Sequence, residues 1–403
     1  MIYNSLDRST FVKICPLFVN ACLGFLEEKE SSKSSLSDRR DAYKLVIQLF
    51  VRIYHLNAQD LVRDFSKPVS KFIQQFSQNV SLHEMIFFSK YLEVSSIVFP
   101  STISGKKPQL ESRYFQIVSN LSDNDFNLIK PQLKTLSLGY VKILLTGNFR
   151  NESRFCDSIS KLMSFFENFL EIFNVFKMQT PHLNFRFQSD FKTNDFFVPF
   201  KDGPKDSLTN LKRLFFISCS IKNILQESLS IKMQIPVSAM LTIFQAFANL
   251  FKYKSKEDKS LDFIVPELFQ NIYGIIEVLL LVGKKNMILF TKDLNSIIRS
   301  SVKWIEQFDP KTLLDFRLSF YSFLHVYFSS LGLNHNLEDE DLKEVILLVV
   351  KNVGIFDMSL KIQLKSFKDS NKVPEALDKD IIVDKKTFIK CTESSVKGIL
   401  ILI

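Results

Sequence analysis

The side chains of this chain that could act as catalysts or metal ligands are widely separated in the sequence. The five histidines are His55, His83, His182, His325 and His335. They form no HExxH motif and no close pair with cysteine or aspartate, which are the spacings that a zinc site requires. A single histidine on a helix is more often a packing or surface residue than a ligand. We therefore predict no metal site.

The cysteines indicate an intracellular protein with reduced thiols. They number five, lie far apart and form no CxxC pair: Cys15, Cys22, Cys156, Cys219 and Cys391. An odd, scattered set favours neither a disulfide framework nor a zinc module. We expect mostly buried thiols that pack as small apolar groups.

Other catalytic motifs do not occur in the sequence. Gly105-Lys106-Lys107 and Gly283-Lys284-Lys285 lack the upstream glycine and the Ser/Thr of a phosphate loop. The acidic run at 338–341 is at a predicted helix start, where the helix dipole favours negative charge. We predict no catalytic residues and no cofactor. An enzyme whose site forms only in the fold stays as an alternative, which a deep polar pocket with convergent titratable groups would favour.

Two segments are candidates for binding. Residues 178–206 contain proline and glycine without helical periodicity, and they are rich in phenylalanine. The candidate partner-binding residues are Phe185, Phe187, Phe191, Phe196 and Phe197. These rings either pack back on the helices or contact a partner. The second segment holds Lys252, Lys254, Lys256 and Lys259. A solvated loop is its simplest interpretation, and weak contact with RNA phosphates or an acidic partner is the alternative.

Hydrophobic residues recur at i, i+3, i+4 and i+7 along the chain, which indicates amphipathic helices. These helices must position the two candidate binding segments. One such stripe is Tyr43, Val46, Ile47, Phe50, Ile53 and Tyr54. The spacing predicts helices over 9–28, 39–56, 58–79, 81–99, 109–121, 131–146, 153–177, 208–228, 236–252, 260–283, 286–306, 311–331 and 341–353, with a break at 100–108. Each helix pair takes roughly 40 residues, which is HEAT or armadillo spacing. The predicted fold is therefore an all-α, HEAT/armadillo-like α-solenoid of stacked antiparallel helices.

Composition supports this architecture. The chain has 403 residues, of which 46% are hydrophobic, with 10 glycines, 12 prolines and 41 phenylalanines. Few turn residues favour long helices over hairpin-joined sheets. The phenylalanines follow helical spacing, so we predict a Phe-packed core. We divide the chain into an N-terminal helical-repeat half (1–177), an irregular linker or insertion (178–206), a C-terminal helical-repeat half (207–354) and a weakly structured tail (355–403).

Charge and hydropathy leave the partner class open. The formal net charge is +9, a modest excess that is compatible with nucleic acid or an acidic protein. We find no convincing secretory signal, and no apolar run of the roughly 20 residues that a membrane span requires. We expect no membrane association.

Three stretches resemble the proline-, glutamate- and leucine-rich nuclear protein family, whose fungal counterpart is the Rix-type pre-ribosomal scaffold. They are KLVIQLFVRIYHLNAQDLVRDFSKPVSKFIQQF at 44–76, IKMQIPVSAMLTIFQAFANLF at 231–251 and LNSIIRSSVKWIEQFDPKTLLDFRLSFYSFLHVYFSSLGLN at 294–334. In the third, Arg317 and Tyr321 precede a helix ending at Leu331-Gly332, as in the family; we expect the two side chains to bridge adjacent helices. The resemblance covers roughly residues 40–353 in order. The family's acidic, proline-rich C-terminal region and strict LxxLL boxes are missing here.

This resemblance implies a non-enzymatic scaffold subunit of a nuclear complex in large ribosomal subunit (pre-60S) biogenesis and pre-rRNA processing. The implied partners are a WD-repeat protein, a second helical-repeat protein, the pre-60S particle and a midasin-type AAA ATPase. The implied location is the nucleus, including nucleolus and nucleoplasm. The alternative from the helical pattern alone is a HEAT-like adaptor in transport or trafficking.

Overall fold

The computed structural model describes residues 7–28, 36–76, 82–120, 126–146, 152–177, 204–227, 235–250, 261–306, 314–332, 338 and 340–348. Within these ranges the chain is helical and contains no strand. This confirms the predicted all-α class. The chain divides into two compact units, the first containing α1 to α8 and the second α9 to α12.

The helices of the first unit form two layers. They are α1 (Arg8–Glu27), α2 (Leu36–His55), α3 (Gln59–Phe76), α4 (Leu82–Val98), α5 (Pro100–Ser119), α6 (Phe126–Leu145), α7 (Glu152–Lys177) and α8 (Pro204–Glu227). Side-by-side packing joins alternate helices: α1 to α3 to α5 in the odd layer, and α2 to α4 to α6 to α8 in the even layer. The odd layer backs the even layer through α1–α2 and α5–α6 contacts. Alternate-helix stacking is the α-solenoid arrangement that we predicted.

The second unit repeats this pattern. Its helices are α9 (Val237–Leu250), α10 (Leu261–Gly283), α11 (Thr291–Ile305) and α12 (Leu314–Leu331), with a 3-10 helix (Lys284–Phe290) between α10 and α11. Again alternate helices pack together, α9 on α11 and α10 on α12. Residues 340–348 are also helical, and Arg299 of α11 forms an ion pair with Asp341 there, at 3.4 Å.

Aromatic side chains fill both cores. In the first unit, Phe50 packs edge-on against Phe99 with ring centroids 4.9 Å apart. In the second, Trp304 packs in the same way against Phe316, also at 4.9 Å. These rings are almost completely buried. Among the described residues, phenylalanine at helical spacing therefore forms core, as we predicted.

The turn between α2 and α3 shows how local sequence sets helix ends. Asn57 has a positive φ of 48°, in the left-handed region that asparagine tolerates better than most side chains. Its N–H donates to the Tyr54 carbonyl, and the Ala58 N–H donates to the Ile53 carbonyl, at 3.0 and 3.1 Å. Ala58 and Ile53 are both buried. This combination is a Schellman motif, which ends α2 and reverses the chain into α3.

Two sequence predictions require correction here. The predicted break at 100–108 is instead the first half of α5, which begins at Pro100 and contains Gly105 and Pro108. Proline is tolerated at a first helical position because its missing N–H needs no partner there. The predicted buried stripe of α2 also ends earlier than expected, because Tyr54 is 57% exposed.

The division of the chain differs from the predicted halves in one respect. We assigned α8 to the C-terminal half, but it packs on α6 and belongs to the first unit. Residues 178–203 and 349–403 lie outside the described ranges. The predicted tail and residues 178–203 of the predicted linker therefore stay predictions, while residues 204–206, which we assigned to the linker, belong to α8.

Two stretches are long and apolar enough to cross a membrane by length and composition. They are Arg8–Glu27 and Ile264–Ile305, whose most apolar windows are 28% and 78% buried within the protein. This corrects our statement that no stretch reaches that length. The second stretch contains α10, the 3-10 helix and α11, and buried core helices pass the same test as a membrane span.

Candidate interaction surface

Both predicted binding segments lie outside the described residues. Phe185, Phe187, Phe191, Phe196 and Phe197 fall within 178–203, and Lys252, Lys254, Lys256 and Lys259 fall within 251–260. Their assignment to partner or RNA contact stays a prediction. The candidate site must therefore be sought on the helices.

One pair of buried charges in the first unit has a structural role. Arg39 of α2 and Glu84 of α4 form an ion pair with Nε and Oε1 2.5 Å apart, and both residues are 4% exposed. The same guanidinium donates to the Leu26 and Glu28 carbonyls at the end of α1, at 2.9 and 3.0 Å. One cation thus satisfies a carboxylate and two terminal carbonyls, and it ties three helices together.

A second arginine has a similar role in the second unit. Arg317 of α12 is 2% exposed and donates through Nη2 to the Ile305 carbonyl at the end of α11, at 3.2 Å. A cation at a helix C-terminus pairs with unsatisfied carbonyls and with the negative end of the helix dipole. Arg317 therefore bridges adjacent helices, as we expected. Tyr321 is buried on the same helix.

The titratable groups of the described residues do not converge on a metal site. No group of three or more His, Cys, Asp or Glu side chains there is arranged to hold a metal ion. His55 is exposed at the end of α2, and His325 is half-buried on α12. Tyr91, Tyr114, Tyr140 and Tyr273 are fully buried, and burial raises the pKa of each hydroxyl. Phenols held neutral inside a core contribute packing area, and Tyr114 also shares a hydrogen bond with Ser89 Oγ.

Two of the four described cysteine thiols are inside the core. Cys15 and Cys219 are buried, and Cys22 and Cys156 are half-buried. Burial raises the pKa of the Cys15 thiol to about 12, so this thiol is protonated at neutral pH. Cys391 lies outside the described residues.

The outer surface of the first unit differs between its two layers. On the odd layer, α3 exposes side chains of both signs: Asp60, Arg63, Asp64, Lys67 and Lys71. On the even layer, exposed lysines and exposed aliphatic residues occur together on α2, α4 and α6, and α2 also exposes Asp38 and Asp41. Periodicity along each helix indicated which residues are apolar, but it did not indicate that these three helices lie side by side. Helical periodicity therefore did not predict this surface.

Comparison with known proteins does not assign a family. A scan against protein-family models found no match, and a search of curated proteins found none either.

Proposed function

We propose that this chain is a non-enzymatic scaffold subunit of a nuclear complex that takes part in large ribosomal subunit biogenesis and pre-rRNA processing. Support comes from the ordered resemblance of residues 40–353 to the Rix-type scaffold family. The fold is compatible with that resemblance, because stacked helices present extended surfaces to several partners at once.

The proposed partners follow from the same resemblance. They are a WD-repeat protein, a second helical-repeat protein, the pre-60S particle and a midasin-type AAA ATPase. We propose nuclear localisation, in nucleolus and nucleoplasm, for the same reason. Weak RNA contact through the segment that holds Lys252 to Lys259 is part of the proposal.

Affinity purification of the tagged full chain from nuclear extract, followed by mass spectrometry, tests this function. We expect a WD-repeat protein, a second helical-repeat protein and large-subunit assembly factors. Recovery of transport receptors or vesicle proteins without pre-ribosomal material would reject the proposal and favour a trafficking adaptor.

A deletion tests the contribution of the phenylalanine-rich segment. Removing residues 183–200 should reduce recovery of the partners while leaving the helical circular dichroism signal largely intact. Loss of cooperative unfolding in the deletion variant would instead show that these phenylalanines belong to the core.

A further inference from the structure

Exposed large hydrophobic side chains in the first unit are concentrated on the even layer. Among its described residues, one such side chain lies on the odd layer, Leu17 of α1. The other five are on the even layer: Val51, Tyr54, Ile97, Leu128 and Leu138. Single exposed hydrophobic residues are common, but a set confined to three adjacent helices is typical of an interaction surface.

The exposed residues of α4 and α6 share one side of the layer. Helix α4 has α2 and α6 on its flanks and α5 behind it, and α6 has α4 and α8 on its flanks with α5 behind. Exposed side chains on α4 and α6 must therefore lie on the remaining side. The even-layer face, as we define it, consists of Lys44 and Val51 of α2, Lys90 and Ile97 of α4, and Lys134 and Leu138 of α6.

Core contacts fix the register across this face. The Phe50 ring contacts those of Tyr91 and Phe99, at 5.7 and 4.9 Å, which places Val51 near the C-terminal half of α4, where Ile97 lies. Gly139 of α6 packs directly on Ser89 of α4, which places Leu138 beside the turn that carries Lys90. Neighbouring helix axes are about 8–10 Å apart. The aliphatic and cationic side chains therefore lie within reach of one bound segment.

The exposed charged side chains of α4 and α6 are lysines, while Glu93 of α4, between Lys90 and Ile97, is half-buried. Helix α6 contains Lys130, Lys134 and Lys142 and no aspartate or glutamate. Lys142 pairs with Glu227 of α8 at 2.7 Å, and Lys44 pairs with Asp41 on its own helix at 3.0 Å. Lys90 and Lys134 are exposed on the same helices as Ile97 and Leu138. Complementary charge favours an acidic partner.

We propose that the even-layer face binds an acidic amphipathic segment of a partner protein. Apolar side chains of that segment pack on Ile97 and Leu138, and its carboxylates pair with Lys90 and Lys134. Aliphatic residues favour a protein partner over RNA, whose bases stack on aromatic rings. This inference rests on the proposed function in one respect, which is that the chain acts by binding other proteins.

Fluorescence anisotropy with the purified full chain tests the proposal. The probe is a labelled synthetic peptide of about five helical turns, with leucines along one face and glutamates elsewhere. A matched peptide with lysines in place of the glutamates is the control. We expect the acidic peptide to bind, the basic one not to bind, and the affinity to fall as salt increases.

Two double variants that change the net charge by the same amount, one on each layer, locate the binding site. Lys90→Glu with Lys134→Glu should weaken binding of the acidic peptide about tenfold or more. Arg63→Glu with Lys67→Glu, on the odd layer, should leave it within about twofold, since exposed charges at a distance are screened by salt. A third variant, Ile97→Ser with Leu138→Ser, should also weaken binding. The six substituted side chains are exposed, with Leu138 less so than Ile97. Thermal unfolding of each variant is the control for correct folding.

Three outcomes would overturn the proposal. The acidic peptide does not bind, the odd-layer variant loses as much peptide affinity as the even-layer variant, or a different class of ligand binds the face. For the last, an RNA oligonucleotide and phosphatidylserine vesicles are titrated in parallel. Binding of either one that depends on Lys90 and Lys134, without peptide binding, assigns the face to that ligand instead.

This test separates the two proposals. If nuclear purification of the even-layer variant still recovers every pre-ribosomal partner and the peptide does not bind, the scaffold function stands and the surface fails. If the peptide binds as expected but purification recovers only transport proteins, the surface stands and the ribosomal function fails.

Discussion

Gly139 of α6 faces Ser89 of α4 so closely that a Cβ at position 139 would lie 2.7 Å from the Ser89 Cβ and 3.0 Å from its Cα. The same Cβ would lie 2.5 Å from the Tyr114 hydroxyl, which shares a hydrogen bond of 2.8 Å with Ser89 Oγ. Glycine is thus required at the point where α4, α5 and α6 meet.

The first prediction concerns this contact. Gly139→Ala should lower the free energy of unfolding by about 1–3 kcal/mol, because the Ser89 Cβ, which is attached to the α4 backbone, and the Tyr114 hydroxyl must move to admit the methyl group. Urea unfolding followed by circular dichroism measures the change. Gly105→Ala on α5 is the matched control, since nothing lies within 4 Å of a Cβ at position 105. The control should gain up to about 1 kcal/mol from helix propensity, and an equal loss in both variants would contradict this account.

Removing one partner of the Arg39–Glu84 ion pair should lower the free energy of unfolding more than replacing both partners by apolar residues. Glu84→Leu leaves a buried guanidinium without its carboxylate, which typically costs about 3–5 kcal/mol. Adding Arg39→Met removes that charge, so the double variant should be less destabilised than the sum of the two single variants. A double-mutant cycle from urea unfolding measures the coupling. Simple additivity would show that the two side chains act independently.

The turn at Asn57 should be sensitive to side-chain shape. Asn57→Val places a β-branched residue at a positive φ, so we expect a loss of about 1–2 kcal/mol in unfolding free energy. Asn57→Gly should be neutral or stabilising, because glycine adopts this conformation without strain. Thermal unfolding of the two variants tests this. Equal effects of valine and glycine would indicate that the lost Asn57 side chain, which accepts from Gln59 Nε2 at 2.8 Å, is what matters.

Alkaline pH should unfold the protein. Burial raises the pKa of Tyr91, Tyr114, Tyr140 and Tyr273 above the ordinary value of 10.0. Below pH 10.0 the four hydroxyls are protonated in both the folded and the unfolded state, so their contribution to the free energy of unfolding is fully present. Above it the unfolded state ionises first, so stability falls as pH rises. Tyrosinate absorbance and circular dichroism should change together; ionisation of these tyrosines without loss of helix would contradict the prediction.

Thiol labelling should distinguish Cys15 from Cys156. The thiolate is the reactive form, and the Cys15 thiol has a pKa of about 12 in a buried position on α1. At mildly alkaline pH we expect Cys156 to react with iodoacetamide well before Cys15 does. Mass spectrometry of the labelled peptides gives both rates. Rapid labelling of Cys15 in the folded protein would show that α1 opens readily.

Much of the helix pattern was predictable, because the periodicity of buried residues can be recognised within each short segment of the sequence. We expected a helix over 58–79 and the structure has one at Gln59–Phe76, with Leu61, Phe65, Val69 and Phe72 buried. The predicted break at 100–108 was wrong because we took its proline and glycine residues to interrupt the helix. In α5 the buried residues Ile103 and Leu110 hold the helix against its neighbours, and packing overrides a weak local preference.

The candidate surface was less predictable for a physical reason. Lys90 and Ile97 are seven residues apart, so a shared helix face follows from the sequence. Their proximity to Lys134 and Leu138 depends instead on α4 packing beside α6, at a register set by Ser89 and Gly139. Such contacts join residues about 50 positions apart, beyond the reach of helical periodicity.

Alternate-helix stacking has an evolutionary consequence. The entire face from Lys44 to Leu138 is encoded by one uninterrupted stretch of the chain, because each helix packs on near neighbours in sequence. Repeat architectures of this kind grow and shrink by whole helix pairs. A recognition surface built in this way can be duplicated, exchanged or lost as a single genetic block, while the remaining repeats keep their own contacts.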